Sequence, residues 1–305
     1  MSTISLRRVL LAATGASAFA AACAKDASAP SATTGLTQQQ AVQVGTQLAH
    51  EIGGAISSLG AGSTGSLALM ASPSLDRFGS ALATTPCPSP DNTADADHDG
   101  IPDNATITFA LPQCRTVLNG DTTEITGVVH LSDPVFSPPP DVKAFGYRAT
   151  IANLVTRVAA ANTDSSYTDT RSGAIALLAA STGIAQEHAL DIVHVDKTGR
   201  SHLATTWHAT FTPAPGASLV LGAALPHGFF AAQGTISWDR GDIARQFVIA
   251  TAQPLELDPS CADTAPNHFR SGEVRAVIAG DARATFVRIV FANCTEPVIT
   301  LQTGG

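Results

Sequence analysis

The chain is poor in aromatic residues and in charge. Its 305 residues include two tryptophans, two tyrosines and 12 phenylalanines, and charged side chains make up 14% of the sequence. So few rings argue against a groove in which sugars stack on aromatic side chains. The formal net charge of −8 offers no basic patch to displace counterions, which disfavours nucleic acid as a partner.

The sequence also lacks the short motifs that mark common active sites. It contains no H-E-x-x-H, G-x-S-x-G or C-x-x-C pattern and no glycine-rich phosphate loop. We therefore predict no catalytic residue and favour a non-catalytic role. The alternative is a secreted metal-dependent or acid/base hydrolase whose residues come from scattered strands.

The N-terminus, MSTISLRRVLLAATGASAFAAAC, has the features of a targeting segment. Arg7 and Arg8 precede an uncharged, largely apolar run from Val9 to Ala22. This run is shorter than the roughly 20 residues that a membrane-spanning helix needs. We therefore predict a signal peptide over residues 1–22.

Cys23 follows directly, and the run Ala20-Ala21-Ala22-Cys23 resembles a bacterial lipobox, in which the cysteine is lipidated and becomes the new N-terminus. Ordinary cleavage at an Ala-x-Ala site, leaving a free thiol, is the alternative. If Cys23 is excluded, four of the five cysteines remain, and this even number suits disulfides in an oxidising compartment. The resemblance implies an exported lipoprotein of the bacterial cell envelope, periplasmic or surface-exposed, anchored to the membrane by its lipid, with residues 23–36 as a tether.

Residues 36–60, LTQQQAVQVGTQLAHEIGGAISSLG, are predicted to form an amphipathic helix. Thr37 and Gln40 have the spacing of a capping box. Apolar residues recur at three- and four-residue steps and form one stripe: Val44, Leu48, Ile52, Ala55 and Leu59. This helix belongs to a helical N-terminal segment predicted over 37–85.

From Ala105 onward the apolar residues recur with a period of two, as in ATITFALP and TTEITGVVHL. Turn-rich stretches such as VDKTGR and IAGDAR separate these runs. The pattern predicts a mainly β domain over 86–305, an antiparallel meander of about ten to twelve strands in a curled sheet or in two layers.

The stretch DADHDGIPD, residues 95–103, has the ligand spacing of a calcium loop. Asp95, Asp97, Asp99 and Asp103 offer carboxylates, Ile101 offers its backbone carbonyl, and Gly100 permits the sharp turn between them. It resembles an EF-hand loop, and more closely the calcium loops of thrombospondin type-3-like repeats. Thr106 stands where an EF-hand carries its bidentate glutamate, so the expected affinity is weak, about 10⁻⁴ to 10⁻³ M. We predict structural Ca²⁺; a solvated loop without an ion is the alternative.

Four cysteines remain after Cys23, and they allow three pairings. The two local pairings fit best: Cys87 with Cys114, flanking the aspartate-rich loop, and Cys261 with Cys294. Each would close a loop of roughly thirty residues and stabilise the fold by about 3 kcal/mol.

The stretch QEHALDIVHVDKTGRSHLATTWHATF predicts a hairpin with Lys197, Thr198 and Gly199 as a three-residue loop. In that register Asp196 pairs with Arg200, His194 with His202, and His188 with His208. All four histidines would share a polar, partly exposed face, and the pairs would be too far apart to bind one zinc ion. The opposite face would carry the core residues Val193, Val195, Leu203, Trp207 and Phe211.

Together these features predict a non-catalytic cell-envelope lipoprotein, a calcium-stabilised binding or scaffold module whose ligand the sequence does not identify.

Overall fold

The computed structural model describes residues 35–62, 87, 89–96, 101–118, 120–134, 145–161, 165–180, 182–219, 225–241, 243–261 and 269–304. The predicted signal peptide, Cys23 and most of the tether lie outside these residues, as does the segment 63–86. Residues Gly35–Gly305 belong to one unit.

The described residues form one helix and thirteen strands. The helix, α1, spans Gln38–Gly62. The strands are β1 Ser89–Pro90, β2 Asn104–Phe109, β3 Arg115–Leu118, β4 Asp121–Ser132, β5 Phe145–Ala159, β6 Tyr167–Ala180, β7 Gly183–Asp196, β8 Gly199–Pro213, β9 Gly228–Arg240, β10 Ile243–Leu257, β11 Phe269–Ile278, β12 Phe286–Ala292 and β13 Val298–Gln302.

All thirteen strands belong to one sheet. Twelve follow one another in the order β1-β2-β4-β5-β6-β7-β8-β9-β10-β11-β12-β13, and β3 pairs with β4 beside this path. Every strand pair is antiparallel. The predicted mainly β fold and antiparallel meander are confirmed, and the meander forms one continuous sheet with β1 at one end and β13 at the other.

Helix α1 begins with the predicted capping box. The Thr37 backbone N–H donates to Gln40 Oε1 at 2.9 Å, and the Gln40 backbone N–H donates to Thr37 Oγ1 at 3.2 Å. The stripe residues Val44, Leu48 and Ile52 are buried; the side chains of Ala55 and Leu59 lie outside the described set. The helix packs on β12 and β13.

Gln38, the first residue of α1, binds the free edge of β13. Its Nε2 donates to the Ile299 carbonyl at 3.1 Å, and the Leu301 backbone N–H donates to its Oε1 at 2.9 Å. One carboxamide therefore satisfies a carbonyl and an N–H two residues apart, as a neighbouring strand would. Exposed sheet edges are sites of unwanted pairing, and this contact covers part of one.

The two faces of the sheet differ. The inner face, which packs around α1, carries a single hydrophobic cluster that includes residues of the helix and of most strands: among them Leu48, Ile52, Ile107, Leu154, Ile192, Phe247 and Ile289. The other face, called here the outer face, carries the alternate residues of each strand, as the two-residue period requires.

The β7–β8 hairpin differs from its predicted register by one residue. Asp196 pairs with Gly199 and Val195 with Arg200, so the loop contains only Lys197 and Thr198. Asp196 Oδ1 stabilises this shorter loop because it accepts from the Thr198 backbone N–H at 2.7 Å and from the Thr198 hydroxyl at 2.6 Å. Gly199 has the expected positive φ, +125°, but it does so inside the strand.

A one-residue shift of one strand moves its side chains to the other face, and the histidine prediction was therefore wrong. His188 pairs with Trp207 and is buried on the inner face, whereas His208 pairs with Glu187 and is exposed. The predicted pairs His188–His208 and His194–His202 do not form.

Strand bends cross the middle of the sheet. The register shifts between Thr126 and Val128 in β4 and between Ile151 and Leu154 in β5. In β6, the neighbouring strand, Gly173 has a φ of +133°, and a Cβ at this position would overlap the Ala189 carbonyl oxygen. Bulges and glycines of this kind let long strands curve around a core.

Candidate functional site

The predicted calcium loop closes on itself through Asp103. Its Oδ1 accepts from the Ala96 backbone N–H at 3.0 Å, and its own N–H donates to the Ala94 carbonyl at 2.8 Å. Asp95 is half-buried, and the Ile101 side chain is 1% exposed in the core. Asp97 and Asp99 lie outside the described residues.

Asp133, which sequence reasoning missed, lies beside this loop. Its side chain is buried, and its backbone N–H donates to the Asp103 carbonyl at 3.1 Å. Carboxylates and backbone carbonyls are the oxygen donors that Ca²⁺ prefers, so the residues present fit the ion chemically. Within the described part of the chain, no three His, Cys, Asp or Glu side chains lie close enough to hold a metal, and two of the predicted ligands, Asp97 and Asp99, lie outside that part.

The cysteines pair as predicted. Cys87 is bonded to Cys114 and Cys261 to Cys294, with sequence separations of 27 and 33 residues. Two disulfides indicate an oxidising compartment outside the cytoplasm. Among the described residues, no helix has the combination of length and apolar character that a membrane-spanning segment requires.

A charged cluster lies on the inner face between β6 and β7. Asp169 and Arg171 of β6 are only 7% and 5% exposed. His194 Nδ1 lies 2.6 Å from Asp169 Oδ1, and His194 Nε2 lies 3.4 Å from Asp196 Oδ2. The hydrogen bond to Asp169, with a smaller contribution from Asp196, raises the pKa of His194. Both ring nitrogens are engaged, so this imidazole holds two carboxylates together and has no free nitrogen to act as a base.

The same cluster extends to α1 through Glu51. This carboxyl is 4% exposed and accepts from Gln47 Nε2 at 2.9 Å. Burial raises the pKa of Glu51, and the nearby Arg171 cation opposes that rise. A buried carboxyl near a buried guanidinium thus connects the helix to the centre of the sheet.

His188 is a neutral member of the inner face. Trp207 Nε1 donates to its Nδ1. Burial, aided by the Arg171 cation, lowers the pKa of His188 to about 3. At neutral pH this ring is an uncharged hydrogen-bond acceptor that orients Trp207.

The outer face carries an open depression of about 760 Å³ that crosses β5 to β10. Its floor is built of small side chains, including Ala174, Ala176 and Ala189. Four longer polar side chains line it: Arg148, Glu187, His208 and Gln233.

This row of polar side chains follows from the strand register. Arg148 is the Cα partner of Ala176, Ala176 of Glu187, Glu187 of His208, and His208 of Gln233. The two-residue period of the sequence indicates that each of these polar residues alternates with buried neighbours along its own strand. Their alignment in one row across five strands is visible only in the fold.

Compared with known proteins, the chain matches no family model, no curated protein and no solved structure.

Proposed function

We propose that this protein is an envelope lipoprotein, anchored through a lipid on Cys23 and stabilised by calcium at 95–103, whose sheet is a non-catalytic scaffold module. Its interaction surface is the outer face of β5 to β8, called here the outer patch. The outer patch consists of the buried Gly146 and of eleven exposed or partly exposed residues: Arg148, Thr150, Ala174, Ala176, Leu178, Ala185, Glu187, Ala189, Thr206, His208 and Thr210.

The observation that carries this proposal is the composition of the outer patch. Most of its side chains are alanine or threonine, and Leu178, in the row of residues at one end of the patch, is 49% exposed. Four strands at the usual spacing give the patch an area of roughly 400 Å². Contiguous exposed apolar patches of about 300–600 Å² are often functional, and the alanines, threonine methyl groups and Leu178 supply the apolar part of this surface.

The state of His188 and His194 argues against a general base on the inner face of the sheet. His194 has both nitrogens engaged by carboxylates, and His188 is buried and accepts from Trp207. A general base needs a nitrogen or oxygen within reach of substrate, and neither ring offers one.

The disulfides and the cysteine count support the envelope location. Two disulfides account for four cysteines, which leaves Cys23 as the fifth and fits its use as a lipid attachment point. Asp103 and the buried Asp133 support the calcium site, because they place oxygen donors at the base of the predicted loop.

Site-specific photo-cross-linking in cells tests the interaction surface. A benzophenone side chain at Ala189 should give covalent protein adducts in the envelope fraction. The same group at Arg283, an exposed residue of the β11–β12 loop, is the control and should give none. Absence of adducts from Ala189, or equal adducts from both positions, contradicts the proposal.

A further inference from the structure

We infer that the partner of the outer patch is a second copy of this chain, docked face to face about a twofold axis that runs along β6. This inference rests on the proposed function and names the partner of that same surface.

The outer patch has a positive residue on one side of β6 and a negative residue on the other, at the same level along the strand. Arg148 on β5 and Glu187 on β7 are both Cα partners of Ala176 on β6. At a strand spacing of about 4.8 Å, a cation and an anion therefore lie on either side of Ala176, about 10 Å apart.

A twofold rotation about β6 exchanges the positions of β5 and β7. Arg148 of one copy then faces Glu187 of the other, and the reciprocal pair forms by symmetry. Ala176 meets its own equivalent on the axis, as an isologous contact requires. One surface thus supplies both halves of two identical ion pairs.

The neighbouring rows obey the same symmetry. Towards the Gly146 end of β5, Gly146 and Ala185 are both partners of Leu178, so a small residue faces a small residue and Leu178 meets its equivalent. In the opposite direction, Thr150 and Ala189 flank Ala174 in the same way. These rows oppose no like charges, and the exposed Leu178 is buried on the axis.

The two charged side chains are available for such a contact. Arg148 and Glu187 are exposed, and within the described part of the chain neither has a hydrogen-bond or ion-pair partner. The recessed alanine floor between them leaves room for the longer side chains of the second copy. With contributions from β4 and β9 at its margins, the contact area rises to roughly 600 Å² per partner, which is at the lower end of specific protein–protein interfaces.

Charge reversal provides the test. Full-length protein, purified from membranes in detergent, should sediment as a dimer. Arg148→Glu and Glu187→Arg, made separately, should each weaken the dimer by about tenfold or more, because both ion pairs become repulsive contacts. Arg283→Glu is the matched control and should dimerise as the unmodified protein does.

The mixture of the two reversed variants gives the sharper result. The Arg148→Glu variant has acidic side chains at positions 148 and 187, and the Glu187→Arg variant has basic side chains at both positions. An equimolar mixture should therefore recover dimers that contain one copy of each, measured by energy transfer between differently labelled copies. Recovery supports the twofold arrangement. A dimer whose stability is unchanged by either single substitution, or an equimolar mixture that remains monomeric, overturns the inference.

Failure of this inference is distinguishable from failure of the proposed function. If the unmodified protein is monomeric and Ala189 cross-links to a different protein, the self-association is refuted while the interaction surface stands. If Ala189 gives no adduct, the interaction surface itself is refuted.

Discussion

His194 lies between Asp169 and Asp196, and its charge is therefore coupled to the stability of the sheet. Its pKa is raised in the folded protein, chiefly by the hydrogen bond to Asp169. The stabilisation is fully present below the unfolded pKa of about 6.5 and is lost as the pH rises through the higher folded value.

His194→Asn should consequently reduce the free energy of unfolding most at acidic pH. At pH 5.5 we expect a loss on the order of 1 kcal/mol, limited by solvent screening because the ring is partly exposed. Urea unfolding from pH 5.5 to 9 should show the difference between the two proteins shrinking. His130→Asn, at an exposed position without a carboxylate partner among the described residues, is the control. A difference that is constant or grows with pH would contradict the assignment.

The buried charges could have been recognised from residue parity. Asp169 and Arg171 share the parity of Ile175 and Leu177 in β6, and a period of two places all four on one face. The sequence does not show which residues balance these buried charges, because Glu51 and His194 belong to other elements and come close only in the fold. Charged residues on a buried face therefore contradict the apolar pattern of the strand until their partners are identified.

At the scale of the element, Gly173 permits a positive φ within β6 and the close approach of β6 to the backbone of β7. Its φ of +133° is uncommon for residues with a side chain, and a Cβ would overlap the Ala189 carbonyl oxygen. Gly173→Ala should therefore lower the free energy of unfolding by about 2 kcal/mol or more.

Chemical denaturation measures this loss, and Gly35→Ala is the matched control. Gly35 has no neighbouring atom within 4 Å of an added Cβ, so that substitution should change stability by less than about 0.5 kcal/mol. If the two substitutions changed the free energy of unfolding equally, position 173 would not require glycine.

Local signals predicted the helix well and the hairpin poorly, for a physical reason. The capping box and apolar stripe of α1 depend on residues within a few positions of one another, and both are present in the structure. The β7–β8 register depends on whether Gly199 belongs to the loop or to the strand. Both choices keep alternation within each strand, and the Asp196–Thr198 hydrogen bonds select the shorter loop.

At the scale of the whole molecule, the predicted calcium loop lies between β1 and β2, within the stretch that the Cys87–Cys114 disulfide closes. Asp97→Ala combined with Asp99→Ala should abolish the rise in melting temperature that millimolar Ca²⁺ gives the unmodified protein, because binding to the folded state alone shifts the unfolding equilibrium. Differential scanning fluorimetry with and without chelator measures this shift.

Asp239→Ala, an exposed carboxylate on β9, controls for general charge effects and should leave the calcium response unchanged. A calcium-dependent shift that persists without Asp97 and Asp99 would place the ion elsewhere.

The mainly β class and the antiparallel order of the strands were predicted correctly, and about ten to twelve strands were predicted where the described residues form thirteen. The choice between one sheet and two layers could not be made from the sequence. That choice depends on irregularities such as the register shifts of β4 and β5, and on the docking of α1 against β12 and β13. Both are long-range arrangements that no local period encodes.

The contact between Gln38 and β13 joins residues more than 260 positions apart in the chain, which has a consequence for biosynthesis. The helix emerges from the ribosome before the described strands, whereas β13, one of the two strands it packs on, emerges after the other twelve. Until residues 298–302 are available, the helix lacks its packing contacts with β13, and β12 lacks its neighbouring strand. Contacts of such sequence separation form late in folding. A chain halted before β13 would therefore expose the edge of β12 and part of the apolar side of the helix, which are features that promote aggregation and attract chaperones.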